Sequence, residues 1–547
     1  MQSTEKTPFR QAMSALHTWG SLIAGWMLFV IFVTGSIGVF DEPVSHWMQP
    51  ERASILSTMD YDPDSATDRQ AAVGKAQAYL QQVEPNGHLW FATLPDLEDP
   101  AIKLFWQDAD ENPHQAKLHP DSGEILPASM DRGTEGGHHF VHMHFELHSG
   151  TLGIWIVGFF TLLMLVALIS GVIIHRRIFK DFFTFRARKG QRSWLDAHNA
   201  SGVLTLPFQL MIAFTGLAVF VSVYMPAAIF AHYNSPEAFF AEVFERPAPR
   251  EMTHEAAPVA NLGQMFAKAE QAMGKPGQFI RVEHPGDSSA TFTVFGLFDA
   301  EALQGRLVLP SSGMAEFDAV SSQQRHIEAP GAEPQGAAFR TQRAMRTLHF
   351  ANFGGYTVRW LYFLLGMTGA VMIASGSILF MVKRRQRALN EFGNATPRVY
   401  RTVDVLNVAA ISGLLIACVG YLWINRLLPL EVAGRAGRAG WEVGLFFALW
   451  AITLLHSALR PVNQAWREQL LGFAALCLLL PFVNAFTVGE HLLTYLTERN
   501  WRAAGVELTI ISFGLLALKA LQKLRRKAAA NKSQTASVKI EQAGVRG

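Results

Sequence analysis

Residues 12–40 read AMSALHTWGSLIAGWMLFVIFVTGSIGVF, an apolar stretch that is long enough to cross a bilayer. Residues 193–220 read SWLDAHNASGVLTLPFQLMIAFTGLAVF and repeat the arrangement. In each stretch a histidine, His17 or His198, lies 17 residues before a Thr-Gly pair. An imidazole in hydrocarbon needs a partner, so histidines that recur at one depth predict a functional site. For either histidine alone, a hydrogen bond to a neighbouring helix is the simpler alternative.

The composition indicates a membrane protein with several spans. Half of the 547 residues are apolar, and the mean hydropathy is +0.15. Apolar runs of the length needed to span a bilayer fall near residues 14–40, 151–175, 200–225, 355–382, 403–424, 441–459, 469–488 and 503–521. We therefore predict a membrane all-α helical bundle of about eight transmembrane helices.

Basic residues set the expected orientation. They fill the second connection, at Arg176, Arg177, Lys180, Arg186, Arg188, Lys189 and Arg192. They also fill the fourth connection and the tail, at Lys383, Arg384, Arg385, Arg387, Arg398, Arg401, Lys523, Arg525, Arg526 and Lys527. The positive-inside rule then places both termini in the cytoplasm, and a short outer loop with Arg426, Arg435 and Arg438 is a mild exception. Because topology accounts for the basic residues, lipid is an expected partner and nucleic acid is not.

Two polar segments, 41–147 and 226–348, face outward in this topology and share one pattern. Each has a helix, near Ala71–Val83 or Leu262–Met273, followed by short strands. The strands are expected near His88–Thr93, Ala101–Trp106 and Gln115–Leu118, and near Phe279–Glu283, Ala290–Leu297 and Gly305–Leu309. Both segments carry a Pro-x-Ser-Gly turn, at residues 120–123 and 310–313, so we predict two α+β domains that arose by duplication.

The membrane part repeats as well. Leu147-His148 introduces span 2, which holds Ser170-Gly171, and Leu348-His349 introduces span 4, which holds Ser375-Gly376. The register of the two spans differs by four residues. We divide the chain into a first helix at 10–40, an outer domain at 41–147, two helices with their basic loop at 148–225, a second outer domain at 226–348, a fourth helix at 349–387, a four-helix extension at 402–522 and a cytoplasmic tail at 523–547.

These motifs resemble the PepSY-associated transmembrane helix family over residues 10 to about 387. The resemblance is carried by Leu16-His17-Thr18-Trp19-Gly20, Val33-Thr34-Gly35, Leu147-His148, Leu348-His349-Phe350 and the run from His175-Arg176-Arg177 to Ala197-His198-Asn199. The outer segments look like PepSY domains. Family members include iron-regulated bacterial inner-membrane proteins and ferric-siderophore reductases with two b-type haems. The resemblance thus implies a multi-pass inner-membrane protein with periplasmic PepSY-like domains that transfers electrons to iron.

A b-type haem takes two imidazoles that face each other across a bundle. We expect His148 and His349, at the entries to spans 2 and 4, to ligate an outer haem. Three histidines compete for the inner haem: His17, His175 and His198. Symmetry favours His17 with His198, but the short basic loop leaves a pairing of His175 with His198 open.

The stretch Gly136-Gly137-His138-His139-Phe140-Val141-His142-Met143-His144 is rich in imidazoles just outside span 2. Such tracts bind transition metals, so the stretch could be a metal or iron-release site, or His144 could replace His148 as a haem ligand. A glycine-led linker with incidental histidines is the alternative. Gly20, Gly25 and Gly202 would let a flat macrocycle approach the helices, or serve ordinary helix packing.

The resemblance therefore implies a haem-dependent ferric-siderophore reductase with two haems b. The chain has no P-loop and no dinucleotide fingerprint, so a cytoplasmic reductase or a membrane quinol must supply the electrons. The only cysteines, Cys418 and Cys477, lie in apolar runs and predict no disulfide. Two rivals remain: a non-enzymatic membrane protein that binds a peptide or protease, and a siderophore or metal permease. The permease requires polar residues deep in the last four spans, where Asn407, Asn484 and Glu507 are the few candidates.

Overall fold

A computed structural model describes the chain from Pro8 to Gly544, except for residues 53–54, 57–58, 98, 128, 176–190, 245, 248–249, 299–304, 335, 388–389 and 433–436. Most of the basic second connection, from Arg176 to Lys189, therefore lies outside the described residues. The chain folds as two compact units. The helical unit comprises Met1–Pro50, Gly133–Ala213 and Tyr362–Gly547, and the sheet unit comprises Glu51–Arg132 and Phe214–Leu361.

In chain order the elements are α1 (Pro8–Gly38), α2 (Asp41–Met48), α3 (Ala66–Val83), β1 (Leu89–Thr93), β2 (Ile102–Gln107), β3 (Pro113–Leu118), α4 (His138–Phe145), α5 (Gly150–Ile174), α6 (Gln191–Val219), α7 (Val221–Tyr224), α8 (Pro226–Phe230), α9 (Pro236–Val243), α10 (Leu262–Met273), β4 (Gly277–Glu283), β5 (Thr291–Gly296), β6 (Met314–Asp318), β7 (Gln324–Glu328), α11 (Ala337–Phe350), α12 (Gly355–Arg387), α13 (Thr396–Val408), α14 (Leu414–Leu427), α15 (Gly437–Leu459), α16 (Val462–Val488), α17 (Leu492–Thr497) and α18 (Trp501–Gly544).

Among the described residues, eight helical segments are long and apolar enough to cross a membrane, which confirms the predicted fold class. They are α1, α5, α6, α12, the joined pair α13–α14, α15, α16 and α18. The pair α13–α14 is continuous because a π-helical turn at Ala409–Gly413 links its two parts. The chain is thus a multi-pass membrane protein.

One hydrophobic cluster runs through the helical unit. It includes Phe29 and Val33 of α1, Met164 of α5, Leu414 of α14 and Phe473 of α16. The last four spans therefore pack into the same core as the first helices, instead of forming an independent bundle.

The two outer segments share a single sheet. Its seven strands run in the order β3-β2-β1-β4-β5-β6-β7, and all neighbours are antiparallel. Strands β1 and β4 join the segments, with Leu89 opposite Glu283 and Thr93 opposite Phe279. The predicted pair of separate α+β domains is therefore one composite sheet. The third strand predicted for the second segment was also misplaced. Residues 305–309 form no strand, and β6 instead follows the turn that ends at Gly313.

Helices α3 and α10 hold equivalent positions in the sheet unit. The side chains of Ser65 and Asn261 cap them by accepting from the third backbone N–H beyond. Leu80 of α3 and Phe266 of α10 are buried in one core with the strands. This equivalence fits the duplication that the sequence predicted.

Candidate functional site

His17, in α1, is fixed by the backbone of α5. Its Nδ1 lies 3.0 Å from the carbonyl oxygen of Ala167, which also accepts a 3.1 Å hydrogen bond from the hydroxyl of Ser170. A carbonyl cannot donate, so Nδ1 carries the proton and Nε2 keeps its lone pair. A Cβ on Gly171 would lie 3.2 Å from Cε1 of His17, so this glycine lets the ring lie close to the helix backbone.

His198, in α6, has the same surroundings on α12. Its Nδ1 donates to the carbonyl oxygen of Met372 at 2.9 Å, and the hydroxyl of Ser375 donates to the same oxygen at 2.9 Å. A Cβ on Gly376 would lie 3.0 Å from Cε1 of His198. Each imidazole therefore lies against a Ser-Gly pair of a neighbouring helix, and its Nε2 is available to bind a metal.

The structure brings His17 and His198 together. Their ring centroids are 6.4 Å apart, and the ring planes are inclined by 68°. With metal–nitrogen bonds of about 2 Å on each side, one ion between two imidazoles would separate the ring centres by about 6 Å. A fixed tautomer, an available Nε2 on each ring and this separation fit a bis-imidazole haem.

His175 has a different environment from the other two inner candidates. It ends α5, and its Nε2 accepts a hydrogen bond from Nδ2 of Asn199 at 3.1 Å. That hydrogen bond occupies the lone pair through which Nε2 of His175 would bind iron. The geometry thus favours His17 over His175 as the companion of His198.

His144, in α4, contacts α1 in the way that His17 contacts α5. Its Nδ1 donates to the carbonyl oxygen of Ile31 at 2.8 Å, and a Cβ on Gly35 would lie 2.5 Å from that nitrogen. Thr34 supplies the hydroxyl beside the glycine, and its Oγ1 lies 3.5 Å from the same carbonyl oxygen. Burial lowers the pKa of His144, which keeps the imidazole neutral.

His349, near the end of α11, completes the series within the sheet unit. Its Nδ1 lies 3.1 Å from Oγ1 of Thr215, and a Cβ on Gly216 would lie 2.9 Å from its Cε1. The Thr-Gly pairs noted in the sequence are therefore places where an imidazole lies close to a helix backbone.

The structural equivalent of His349 is His144, and the predicted equivalence with His148 is wrong. The sequence held the signal: His144 lies 27 residues before Gly171, and His349 lies 27 residues before Gly376. The four-residue difference in register arose from aligning His148 with His349. The spacing from histidine to glycine, and not the resemblance of the Leu-His pairs, carries the repeat.

Two of the other glycines have neighbours that fit ordinary helix packing. A Cβ on Gly25 would lie 3.2 Å from Oγ of Ser377, and one on Gly202 would lie 3.1 Å from Sδ of Met372. A Cβ on Gly20 would meet no described atom within 4 Å. Small-residue packing thus explains Gly25 and Gly202.

The histidine-rich stretch forms α4 and contacts α14 and α15, two of the last four spans. His139 is fully buried, and its ring stacks on Tyr421 at 4.3 Å and meets Phe446 edge-on at 4.5 Å. Its Nδ1 lies 2.9 Å from Nε2 of His148. Nε2 of His148 lies 3.8 Å from Oε2 of Glu135.

Glu135, His139 and His148 form a compact donor set, in which one ligand atom of each lies within 4.8 Å of the others. Burial lowers the pKa of His139 well below its usual value and also lowers that of His148. Both rings are therefore neutral near pH 7, which is the form that binds metals. Nε2 of His139 and Oε2 of Glu135 are buried and have no hydrogen-bond partner among the described residues.

The other two histidines of α4 pair with carboxylates. His138 lies 3.0 Å from Asp41, and this hydrogen bond raises its pKa. His142 is hydrogen-bonded to Glu146 one turn later. Neither belongs to the donor set of Glu135, His139 and His148.

Sequence reasoning missed a group of buried charges in the last spans. Arg438 is ion-paired with Glu442, four residues later on α15, and Nδ2 of Asn425 donates to the same carboxylate at 2.8 Å. Arg426 lies in α14 with its guanidinium 3.9 Å from the ring centre of Trp47. The apparent exception to the positive-inside rule therefore includes two buried helix residues, and the Arg-x-x-x-Glu spacing was the signal that could have found one pair.

Comparison with known proteins agrees with this architecture. The chain matches the PepSY-associated TM region over residues 14–383 and belongs to that family. It is 26% identical over 396 residues to an uncharacterized protein of Pseudomonas aeruginosa, PA4219, with 69% of this chain and 92% of that protein covered. The family match ends within α12, so α13 to α18 lie outside it.

Proposed function

We propose that this protein is a b-type dihaem oxidoreductase of the bacterial inner membrane that reduces a ferric chelate, such as a ferric siderophore, on the periplasmic side. The pairing of His17 with His198 carries the proposal, since two neutral imidazoles with Nε2 available lie 6.4 Å apart between apolar spans. A haem held there by His17 and His198 would supply one-electron transfer.

The protein's own groups would hold and tune that haem. Ala167 and Met372 accept hydrogen bonds from the two Nδ1 atoms, which fixes the rings and increases the basicity of each Nε2. Ser170 and Ser375 share those carbonyl oxygens and so moderate the effect. The surrounding apolar helices exclude water, which is a further influence on redox potential.

A second haem is proposed from the sequence repeat alone. His144 and His349 take the places that the repeat assigns to an outer ligand pair, each beside a Thr-Gly pair of its own unit. This assignment replaces His148 by His144, the alternative that the sequence had left open.

The overall reaction transfers one electron to each Fe³⁺, giving Fe²⁺, from a donor outside this chain. A cytoplasmic reductase or a membrane quinol would supply the electron. Hard oxygen ligands hold Fe²⁺ less firmly than Fe³⁺ because its charge is lower, so reduction would release iron from the chelate.

The buried charges of the last spans do not favour the permease. Arg426 and Asn484 lie within five residues of the end of α14 and α16, and Glu442 lies near the start of α15. Arg426 pairs with Asn484, and Glu442 pairs with Arg438. The other two candidates also have partners, since Asn407 accepts a hydrogen bond from Nε1 of Trp26 and Glu507 accepts one from Asn484.

Absorption spectra of the purified full chain test the proposal. We expect a low-spin b-type spectrum on dithionite reduction, about two haems per chain by pyridine haemochrome, and reoxidation when ferric citrate is added. His198→Ala should remove about one haem, whereas His175→Ala should retain both. A wild-type protein that is produced with ample haem and binds none would overturn the proposal.

A further inference from the structure

Outside the haem ligands, the strongest unexplained group is the donor set of Glu135, His139 and His148. We propose that it binds one divalent first-row transition-metal ion through two imidazoles and one carboxylate. The inference does not rest on the proposed haem function, since none of the three residues belongs to the histidine–glycine series.

The spacing suits an ion of this class. Ligand atoms around a tetrahedral ion with bonds of about 2.0–2.1 Å lie about 3.3 Å apart. The two observed separations, 2.9 Å between His139 Nδ1 and His148 Nε2 and 3.8 Å between His148 Nε2 and Glu135 Oε2, lie on either side of that value. Small side-chain rotations would equalise them.

The chemistry of the donors selects the class of ion. Two neutral imidazoles with one carboxylate suit Zn²⁺, Fe²⁺ and their neighbours, whereas Ca²⁺ and Mg²⁺ prefer all-oxygen sites. Three protein ligands leave a position open for water or another molecule.

The surroundings show that the arrangement is built and not incidental. His139 is fully buried between the aromatic rings of Tyr421 and Phe446. Leu147 and His148 are both in the left-handed region, at φ of 54° and 51°, which is unfavourable for such side chains. The buried Oε2 of Glu135, which lacks a hydrogen-bond partner among the described residues, is the kind of atom that a bound ion explains.

Equilibrium dialysis of the purified full chain against micromolar Zn²⁺ tests the site, because zinc is distinguished from haem iron by elemental analysis. Wild type should retain one Zn²⁺ per chain. Glu135→Gln and His148→Gln should each weaken retention by at least about tenfold, since even outer partners of a metal site cost that much. His138→Gln, on the same stretch but paired with Asp41, is the matched control and should bind as wild type does.

The melting temperature of each variant establishes that it is folded. Zinc-edge X-ray absorption of wild type gives a second readout that needs no variant, and it should show two imidazoles in the coordination shell. The proposal fails if wild type retains no Zn²⁺, if Glu135→Gln and His148→Gln retain it with unchanged affinity, or if the shell contains no imidazole.

Discussion

Each of four histidines lies against a glycine that follows a serine or threonine, and the glycine is as much a part of the site as the imidazole. The sequence predicted His17 and His198 because both lie at equal distances from a Thr-Gly pair. It could not show that each ring lies against a different helix, at Gly171 and Gly376, because that contact is set by how the helices pack. His144 was underrated for the same reason.

Gly376→Ala should displace the imidazole of His198 and lower haem content. The new methyl group would lie 3.0 Å from Cε1 of a ring that a backbone hydrogen bond holds in place. Gly20→Ala, whose methyl group meets no described atom within 4 Å, is the control. Pyridine haemochrome assays of both variants measure the effect, and equal haem content in the two would contradict this account.

The outer ligand is tested by comparing two neighbouring histidines. His144→Ala should lose about one haem per chain, because the proposed function assigns the outer ligand position to His144, beside Gly35. His148→Ala should keep its haem, because His148 lies with His139 instead. Haem counts and reduced spectra distinguish the two variants, and the opposite result would restore the assignment of His148.

Among the helices and strands, the sequence predicted the bounds correctly where it contains both a start signal and a stop signal. Helix α10 occupies the predicted residues because Asn261 caps its start and Gly274, at φ of 65°, ends it. The strand expected at 305–309 had an apolar pattern but no partner strand, and pairing between distant segments decides which residues join a sheet. The buried pair of Arg438 and Glu442 was overlooked because Arg438 was assigned to a loop.

Arg438→Met should destabilise the helical unit strongly. It would leave the fully buried carboxylate of Glu442 without its cation, at a cost of about 3–5 kcal/mol. Arg502→Met breaks a partly exposed pair with Glu42 and should cost no more than about 1 kcal/mol. Unfolding of both variants in detergent, followed by circular dichroism, gives the comparison; similar losses would show that the buried pair is not structural.

The edge of the sheet should weaken in acid. Burial alone would raise the pKa of Asp318, but hydrogen bonds from the backbone of Ser321 and from Arg250 hold it at about 2. A folded pKa below the unfolded value stabilises the sheet above about pH 4, and that contribution is lost as the pH falls towards 2.

Hydrogen exchange of residues 314–328 by mass spectrometry measures this loss. At each pH, wild type is compared with Asp318→Asn, which lacks the ionisable group. The protection of wild type relative to the variant should shrink as the pH falls from 4 to 2. A constant difference over that range would rule out Asp318 as the cause.

For the whole molecule, the pattern of apolar runs predicted the eight spans, because length and hydropathy are local properties. That the last four spans share the core of α1 could not be predicted, since apolar faces give no indication of which helix covers them. The union of two outer segments in one sheet was hidden for a similar reason. Each segment alone has the signature of a small complete unit.

Single cysteines should report the orientation of the chain. Cys418 and Cys477 are buried, so they can be replaced by alanine without losing a labelling site. In that background Glu124→Cys, exposed beside the sheet, should react with a membrane-impermeant maleimide on spheroplasts. Arg525→Cys, exposed on α18, should react only after the membrane is permeabilised. Labelling of Arg525→Cys in intact spheroplasts would reverse the proposed topology.

The pairing of β1 with β4 also sets an order of events during synthesis. Strands β1 to β3 are synthesised first. The edge of β1 at Leu89 stays unpaired until β4, with Glu283, has been synthesised. In that interval α5 and α6 are made, and the free edge of β1 is a template for unwanted pairing with other chains. A ribosome that stalls between the two segments would therefore leave a half-sheet whose β1 edge is open to aggregation.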